Sequence, residues 1–216
     1  MTGMPRVTLS FDNGPSRATA QVLDVLRARG VRASFFVVGE QLRRPGARAL
    51  AERAVAEGHR LGNHSLTHAT PLGVADDAAD AEREIDAMQA LLGDLVPGER
   101  FFRPFGGGGI IDGNLLGRRA IERLVQGEYT CVLWNSVPRD WENPQGWPEV
   151  CVADVSARPW SLVVLHDLPT GAMARLPVFL DALEARGIEL SHELPDECVP
   201  IRCGKPTASF AALPLS

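Results

Sequence analysis

The stretch V7-T8-L9-S10-F11-D12-N13-G14-P15-S16-R17-A18-T19-A20-Q21-V22-L23-D24-V25-L26-R27-A28-R29-G30 contains a strand, a turn and a helix in that order. Val7 to Phe11 is a short strand-like run. Asn13-Gly14 is a common turn dipeptide and Pro15 punctuates it. Val22, Leu23, Val25 and Leu26 then share one broad helical face, and Gly30 stands where a helix C′ residue belongs.

The same alternation recurs along the chain. Phe35-Phe36-Val37-Val38 is too densely apolar to alternate, so it reads as a strand covered on both faces. Leu50, Ala54 and Val55 mark a helix ending at Gly58, and a short strand leads into Asn63. Ile85, Met88 and Leu92 fit the i, i+3, i+7 spacing of a further helix. Phe101-Phe102, Cys131 to Trp134 and Leu162 to Leu165 are strand candidates. Leu176, Phe179, Leu180 and Leu183 mark a late helix stopped by Gly187. Strands alternating with helices imply parallel pairing, because right-handed crossovers place the helices over the sheet. The count falls short of a full eightfold barrel. The expected fold is therefore α/β, a distorted, incomplete (β/α) barrel with six to seven parallel strands. No repeat or linker interrupts it, so residues 1–216 read as one domain. From about residue 191 a tail carrying Pro195, Pro200, Pro206 and Pro214 reads as irregular and peripheral.

Composition narrows the class. A chain of 216 residues, 45% hydrophobic and 23% charged, suits a single domain with a sizeable core. A net charge of −5 argues against a nucleic-acid or anionic-membrane surface. Basic residues cluster only as pairs, Arg43-Arg44 and Arg118-Arg119. No stretch approaches the ~20 apolar residues of a spanning helix, so no membrane insertion is expected. Met1 to Arg6 run directly into a strand without room for a signal peptide's hydrophobic region, which predicts a cytoplasmic protein. Cys131, Cys151, Cys198 and Cys203 form no C-x-x-C pair and read as reduced thiols, with a Cys198–Cys203 bridge as the alternative.

The informative feature is where polar residues fall. Asp12-Asn13 follows the first strand, His64 follows the strand near Leu61, and Arg103 follows Phe101-Phe102. Asp140 comes shortly after Trp134, and His166 ends Leu162 to Leu165. In parallel α/β folds the active site gathers at the carboxyl ends of the strands, so five segments deliver ionisable side chains to one rim. His64 and His68 stand four apart, which on a helical turn puts two imidazoles on one face within reach of one ion. Two solvent-facing histidines are the plain alternative, but the pair begins at a strand end after Gly62-Asn63, which favours a metal. Alone, Asp12-Asn13-Gly14-Pro15 is an ordinary turn, Arg103 an ordinary surface arginine and His166 an ordinary core histidine. Gly106 to Gly109 is no phosphate cradle, because no Gly-Lys-Ser/Thr follows; it reads as a mobile loop near the rim. Trp134, Trp141, Trp147 and Trp160 cluster in sequence near that rim. Aromatic platforms suit sugar faces, and core packing explains tryptophans equally well.

Five ordered motifs carry a resemblance. Ser10-Phe11-Asp12-Asn13-Gly14-Pro15, Asn63-His64-Ser65-Leu66-Thr67-His68, Arg103-Pro104-Phe105-Gly106, Arg139-Asp140-Trp141 and Leu165-His166-Asp167 together resemble the polysaccharide deacetylase family. These are the carbohydrate esterases with the NodB-homology domain, and the likeness spans roughly residues 6 to 190. It implies a metal-dependent hydrolase that removes an N-acetyl group from an amino sugar or related carbohydrate, releasing acetate. Asp12 would be the general base, held ionised by Arg103. Asn13, His64 and His68 would hold one divalent metal ion, most simply Zn2+, with Co2+, Ni2+ or Mn2+ as substitutes. The backbone N–H of Phe105 would help stabilise the oxyanion. His166 would protonate the leaving amine, oriented by Asp140, and Trp141 would wall the acetyl pocket.

Two departures stand out. Most relatives carry a second Asp where this chain has Asn13, so the ligand set lacks an anion. That should weaken metal affinity while leaving the bound ion a stronger Lewis acid. Val137 occupies a position, three before Asp140, where the family often has an acid. Two rival readings are a hydrolase of a small cyclic imide or ureide on the same scaffold, and a catalytically silent carbohydrate-binding module. The second has no need of a matched acid and base. Composition says nothing of oligomeric state.

Overall fold

In the computed structural model, which describes residues 4–75 and 77–214, strand β1 (Arg6–Asp12) organises the sheet. The ends of the expected 1–216 domain, residues 1–3 and 215–216, lie outside the described residues, as does Asp76. Side chains alternate across a strand. Val7, Leu9 and Phe11 accordingly enter the apolar layer shared with the helices, while Thr8, Ser10 and Asp12 are buried on the opposite, interior face. Polar side chains on that face need partners, and they find them. Thr8 Oγ1 donates to the Glu193 carbonyl, and Ser10 Oγ donates to the Val163 carbonyl.

One edge of β1 pairs in parallel with β6 (Trp160–His166), from Arg6↔Trp160 to Asp12↔His166. The other edge is shared. β2 (Ser34–Val37) takes Ser10 to Asp12, and β7 (Glu189–Ser191) takes Arg6 to Thr8. β3 (Arg60–Asn63), β4 (Arg100–Phe102) and β5 (Tyr129–Cys131) continue in parallel beyond β2. The short antiparallel strands β8 (Ile201–Arg202) and β9 (Lys205–Pro206) complete a nine-stranded sheet among the described residues. A lone bridge, Ser136↔Val163, brings the segment after β5 back to β6, so the sheet curls on itself. This is the expected incomplete (β/α) barrel with seven parallel strands.

The helices cover the outside. Arg17–Ala28 starts at a Ser16 cap whose Oγ accepts from the Ala18 N–H, and it buries Val22, Leu23 and Leu26. Its chain reverses at Gly30 (φ 62°), a left-handed position that Gly occupies without steric cost. The helix Ala47–Ala56 forms where expected, but its face is rotated. Ala47, Ala51 and Ala54 are buried and Val55 is exposed, because small side chains let this helix lie close to the sheet. Ile85, Met88 and Leu92 are fully buried, across a π-helical turn at Glu82–Ala87. The helix Trp147–Ser156, which the sequence reading passed over, buries Trp147, Cys151, Val152 and Val155.

Two expectations are corrected. The tail is not peripheral: Leu194, Cys198 and Val199 pack on Phe36, Val132 and Leu162, and Val199 and Ile201 are fully buried. Burying such side chains stabilises by about 1.5–3 kcal/mol each, which is why prolines do not keep the segment at the surface. The strand expected over Cys131 to Trp134 stops at Cys131, since the Leu133 N–H bonds to the tail's Cys198 carbonyl. All four thiols are free, so the alternative Cys198–Cys203 bridge is absent. Among the described residues no helix is long and apolar enough to cross a membrane.

Candidate active site

At the carboxyl ends of the parallel strands lies a cleft of about 410 Å3. Asp12, Asn13, His64, His68, Phe105, Trp141 and His166 all line it. Arg103 and Asp140 sit beneath, both completely buried.

Arg103 is fixed from every side. Its Nη1 donates to Asp12 Oδ1 at 2.8 Å and to Ser10 Oγ at 2.7 Å. Nε and Nη2 donate to the Val132 and Leu133 carbonyls, and the guanidinium lies 3.9 Å over the Phe36 ring. A buried charge needs such a set of partners. Arg103 therefore occupies one oxygen of Asp12 and leaves the other free, and Asp12 Oδ2 lies 3.6 Å from His64 Nε2. This corrects the plain reading of Arg103 as a surface residue. Ser10 was missed, although a hydroxyl two residues before Asp12 on the same strand face was a readable signal.

The two histidines meet, though not on a helix. Ser65 (φ 69°) and His68 (φ 56°) are left-handed, so residues 64–68 form an irregular turn rather than the expected helical one. The ring centroids of His64 and His68 are 4.9 Å apart. His64 Nδ1–H donates to the Arg103 carbonyl at 2.8 Å, which fixes the tautomer and leaves Nε2 free. Burial lowers the pKa of His64, and burial followed by the neighbouring His64 lowers that of His68 to about 3. Both rings are neutral at pH 7, the form that ligates metals. Phe105 stacks on His68 with centroids 3.9 Å apart.

Asn13 stands beside them at φ 73°, a left-handed conformation that Asn tolerates through its short polar side chain. Its Oδ1 is buried and, among the described residues, has no hydrogen-bond partner. A buried acceptor left open is costly, and a cation is one group that satisfies it. Among the described residues no three His, Cys, Asp or Glu side chains converge as metal ligands. Two neutral imidazoles and this amide oxygen nonetheless make a donor set that suits a divalent cation.

Across the cleft, His166 Nδ1 bonds Asp140 Oδ1 at 2.8 Å, and the His166 backbone N–H donates to Asp140 Oδ2 at 3.1 Å. One carboxylate thus sets both the ring and its strand, and Nε2 faces the cleft. Burial is the largest single influence on His166 and lowers its pKa. The hydrogen bond and charge of Asp140, with smaller help from Asp12 and Asp167, outweigh burial and raise it. Trp141 meets the His166 ring edge-on at 4.6 Å.

The tryptophans divide. Trp134 lines the cleft and donates from Nε1 to the Gly109 carbonyl, which fastens the glycine loop to the rim. Trp147 instead donates to the Ala172 carbonyl inside the core, and Trp160 opens β6 at the far end of the barrel under Arg6. Val137 and Arg139, which flank Asp140 in its motif, also line the cleft, as does Glu142, which the sequence alone did not indicate.

A curled (β/α) barrel carrying a carboxylate–arginine pair, a histidine pair and a carboxylate–histidine pair on one rim defines a class of hydrolytic folds. The family model for polysaccharide deacetylase matches residues 1–115. A chitooligosaccharide deacetylase of Sinorhizobium fredii is 36% identical over 171 residues, covering 77% of this chain and 74% of that protein. A chitooligosaccharide deacetylase of a Bradyrhizobium species is 32% identical over 216 residues, covering 90% and 91%. A family 4 carbohydrate esterase from Streptomyces lividans, solved in complex with acetate, superposes with a TM-score of 0.71 at 25% identity, covering 90% of this chain and 96% of that one. The chain belongs to the polysaccharide deacetylase family.

Proposed function

We propose that this protein is a metal-dependent deacetylase that hydrolyses an N-acetyl group of an amino sugar or related carbohydrate. The observation that carries the reading is the pairing of Asp12 with His166 as register partners on adjacent strands, both lining the cleft that the histidine pair also lines. A matched base and acid within one substrate's width is what amide hydrolysis requires.

Asp12 Oδ2, the oxygen that Arg103 leaves free, accepts a proton from the attacking water. The acetyl carbonyl carbon gains the water oxygen, and the backbone N–H of Phe105 donates to the carbonyl oxygen as charge develops there. The C–N bond then breaks, and His166 Nε2 gives its proton to the departing amine. Acetate and a free amino sugar remain. Asn13, His64 and His68 would hold one divalent cation, Zn2+ by the preference of imidazole or Co2+, Ni2+ or Mn2+ in its place, supplying Lewis acidity to the carbonyl and water. Trp141 walls the side of the cleft where the acetyl methyl would rest. The names of the rhizobial relatives support a short N-acetylglucosamine-type saccharide as substrate.

The test is an acetate-release screen over short N-acetylated sugars, with and without chelator. Release that stops with chelator and returns with Zn2+ is the expected result. Release unaffected by exhaustive chelation removes the metal. A turnover of cyclic imides or ureides with no acetate from any sugar removes the deacetylase.

A further inference from the structure

The turn that carries the two histidines has little to hold it in place by itself. It is not helical, and its two left-handed non-glycine residues, Ser65 and His68, each cost roughly 1–2 kcal/mol. Inside the turn the Ser65 N–H donates to Asn63 Oδ1, and the His68 N–H donates to Ser65 Oγ. Backbone bonds to Val37, Gly39, Glu40 and Arg103 and the His64 Nδ1–H bond to the Arg103 carbonyl tie the segment to the sheet. Side-chain support for its Asn63 and Thr67 comes from the π-helical turn Glu82–Ala87.

Glu84 is a buried carboxylate on that turn. Its Oε2 accepts from the Thr67 backbone N–H at 2.9 Å, and its Oε1 accepts from Thr67 Oγ1 at 3.0 Å. The next residue's carbonyl, Ile85 C=O, accepts from Asn63 Nδ2 at 2.8 Å. The π-turn thus grips the histidine segment at both ends, one residue before His64 and one before His68. π-turns are rare and occur frequently at functional sites. Arg83 Nε also donates to Glu84 Oε1, at 3.2 Å, so the carboxylate has donors on both sides.

We infer that Glu84, presented by the π-turn, is a positioning residue that sets the relative placement of His64 and His68. This rests on the reading of that pair as the metal-holding side of the active site. Glu84 acts through Thr67 and touches neither ring. Groups that orient metal ligands typically change affinity 10–100-fold when removed.

The experiment uses the full chain with Glu84→Ala, Glu84→Gln and Thr67→Val. Zn2+ dissociation constants are measured by competition with a chromophoric chelator. Imidazole 15N resonances of His64 and His68 are recorded on the metal-free proteins. Glu84→Ala should weaken Zn2+ binding about 10–100-fold and shift both imidazoles. Glu84→Gln, whose amide oxygen still accepts from the Thr67 N–H, should recover most of that loss. Thr67→Val should fall between. Unchanged Zn2+ affinity with unshifted imidazoles in Glu84→Ala overturns the inference. If that variant does not fold, wild-type values in both Glu84→Gln and Thr67→Val overturn it equally. A wild-type chain that binds no Zn2+ sinks the metal reading instead, and the imidazole resonances still decide the role of Glu84.

Discussion

Asp12 and His166 are register partners at the carboxyl ends of β1 and β6, and each is held from behind by a fully buried group of opposite or complementary charge. Arg103 takes one oxygen of Asp12, and Asp140 takes Nδ1 of His166. The parallel ladder fixes the spacing of the two side chains, and the buried partners fix which atom of each is left for the cleft.

The first prediction concerns pH. His166 must be protonated to act as an acid, and its pKa is raised because Asp140 outweighs burial. Activity should therefore hold below that raised pKa and fall as pH rises through it. Asp140→Asn removes the charge that raises it, so the alkaline limb of kcat/KM against pH should move to lower pH. A limb that stays put would show that another group titrates there.

The second concerns Asn13. Asp tolerates the same left-handed backbone, so Asn13→Asp adds a charge without refolding the turn. A unit charge 4 Å away is worth about 4 kcal/mol near a protein surface, or about 10³-fold, from which desolvation of the new carboxylate subtracts, so Zn2+ should bind between about 10- and 10³-fold tighter. Equal dissociation constants for the two proteins contradict the assignment of Asn13 as a ligand.

The third concerns Arg103. Lysine keeps the charge but cannot reach Ser10, Asp12, Val132 and Leu133 together, because it lacks the planar fork. Arg103→Lys should lower kcat about 10²-fold through misplacement of Asp12, with KM little changed. An unaltered kcat would mean that Asp12 needs no such anchor.

The fourth is a matter of stability. Ile201 is fully buried where the tail pairs with β5. Ile201→Ala should cost about 2–5 kcal/mol in urea unfolding. A loss under 0.5 kcal/mol would return the tail to the periphery.

Much of this was legible before the structure. The strand–turn–helix order fixed the parallel barrel, and the polar residues closing Val7–Phe11, Leu162–Leu165 and Phe101-Phe102 marked the rim. What escaped depends on contacts distant in sequence. The tail's prolines looked like surface punctuation, yet Val199 joins the cluster of Phe36, Val132 and Leu162, and Ile201 joins that of Phe102, Leu124 and Tyr129. The spacing of His64 and His68 suggested a helical turn, whereas the segment is non-helical and its Thr67 and Asn63 bond to Glu84 and Ile85 on another segment. Four tryptophans near one another in sequence looked alike, and only the folded chain separates Trp134 and Trp141 in the cleft from Trp147 in the core.

The central claim is that Asp12 and His166 work on one substrate as base and acid. Acetate release from a short N-acetylated sugar, compared between wild type, Asp12→Ala and His166→Ala at saturating Zn2+, tests it directly. Each single substitution should lower turnover about 10²–10⁴-fold with the fold intact. Full turnover in either variant would contradict the account.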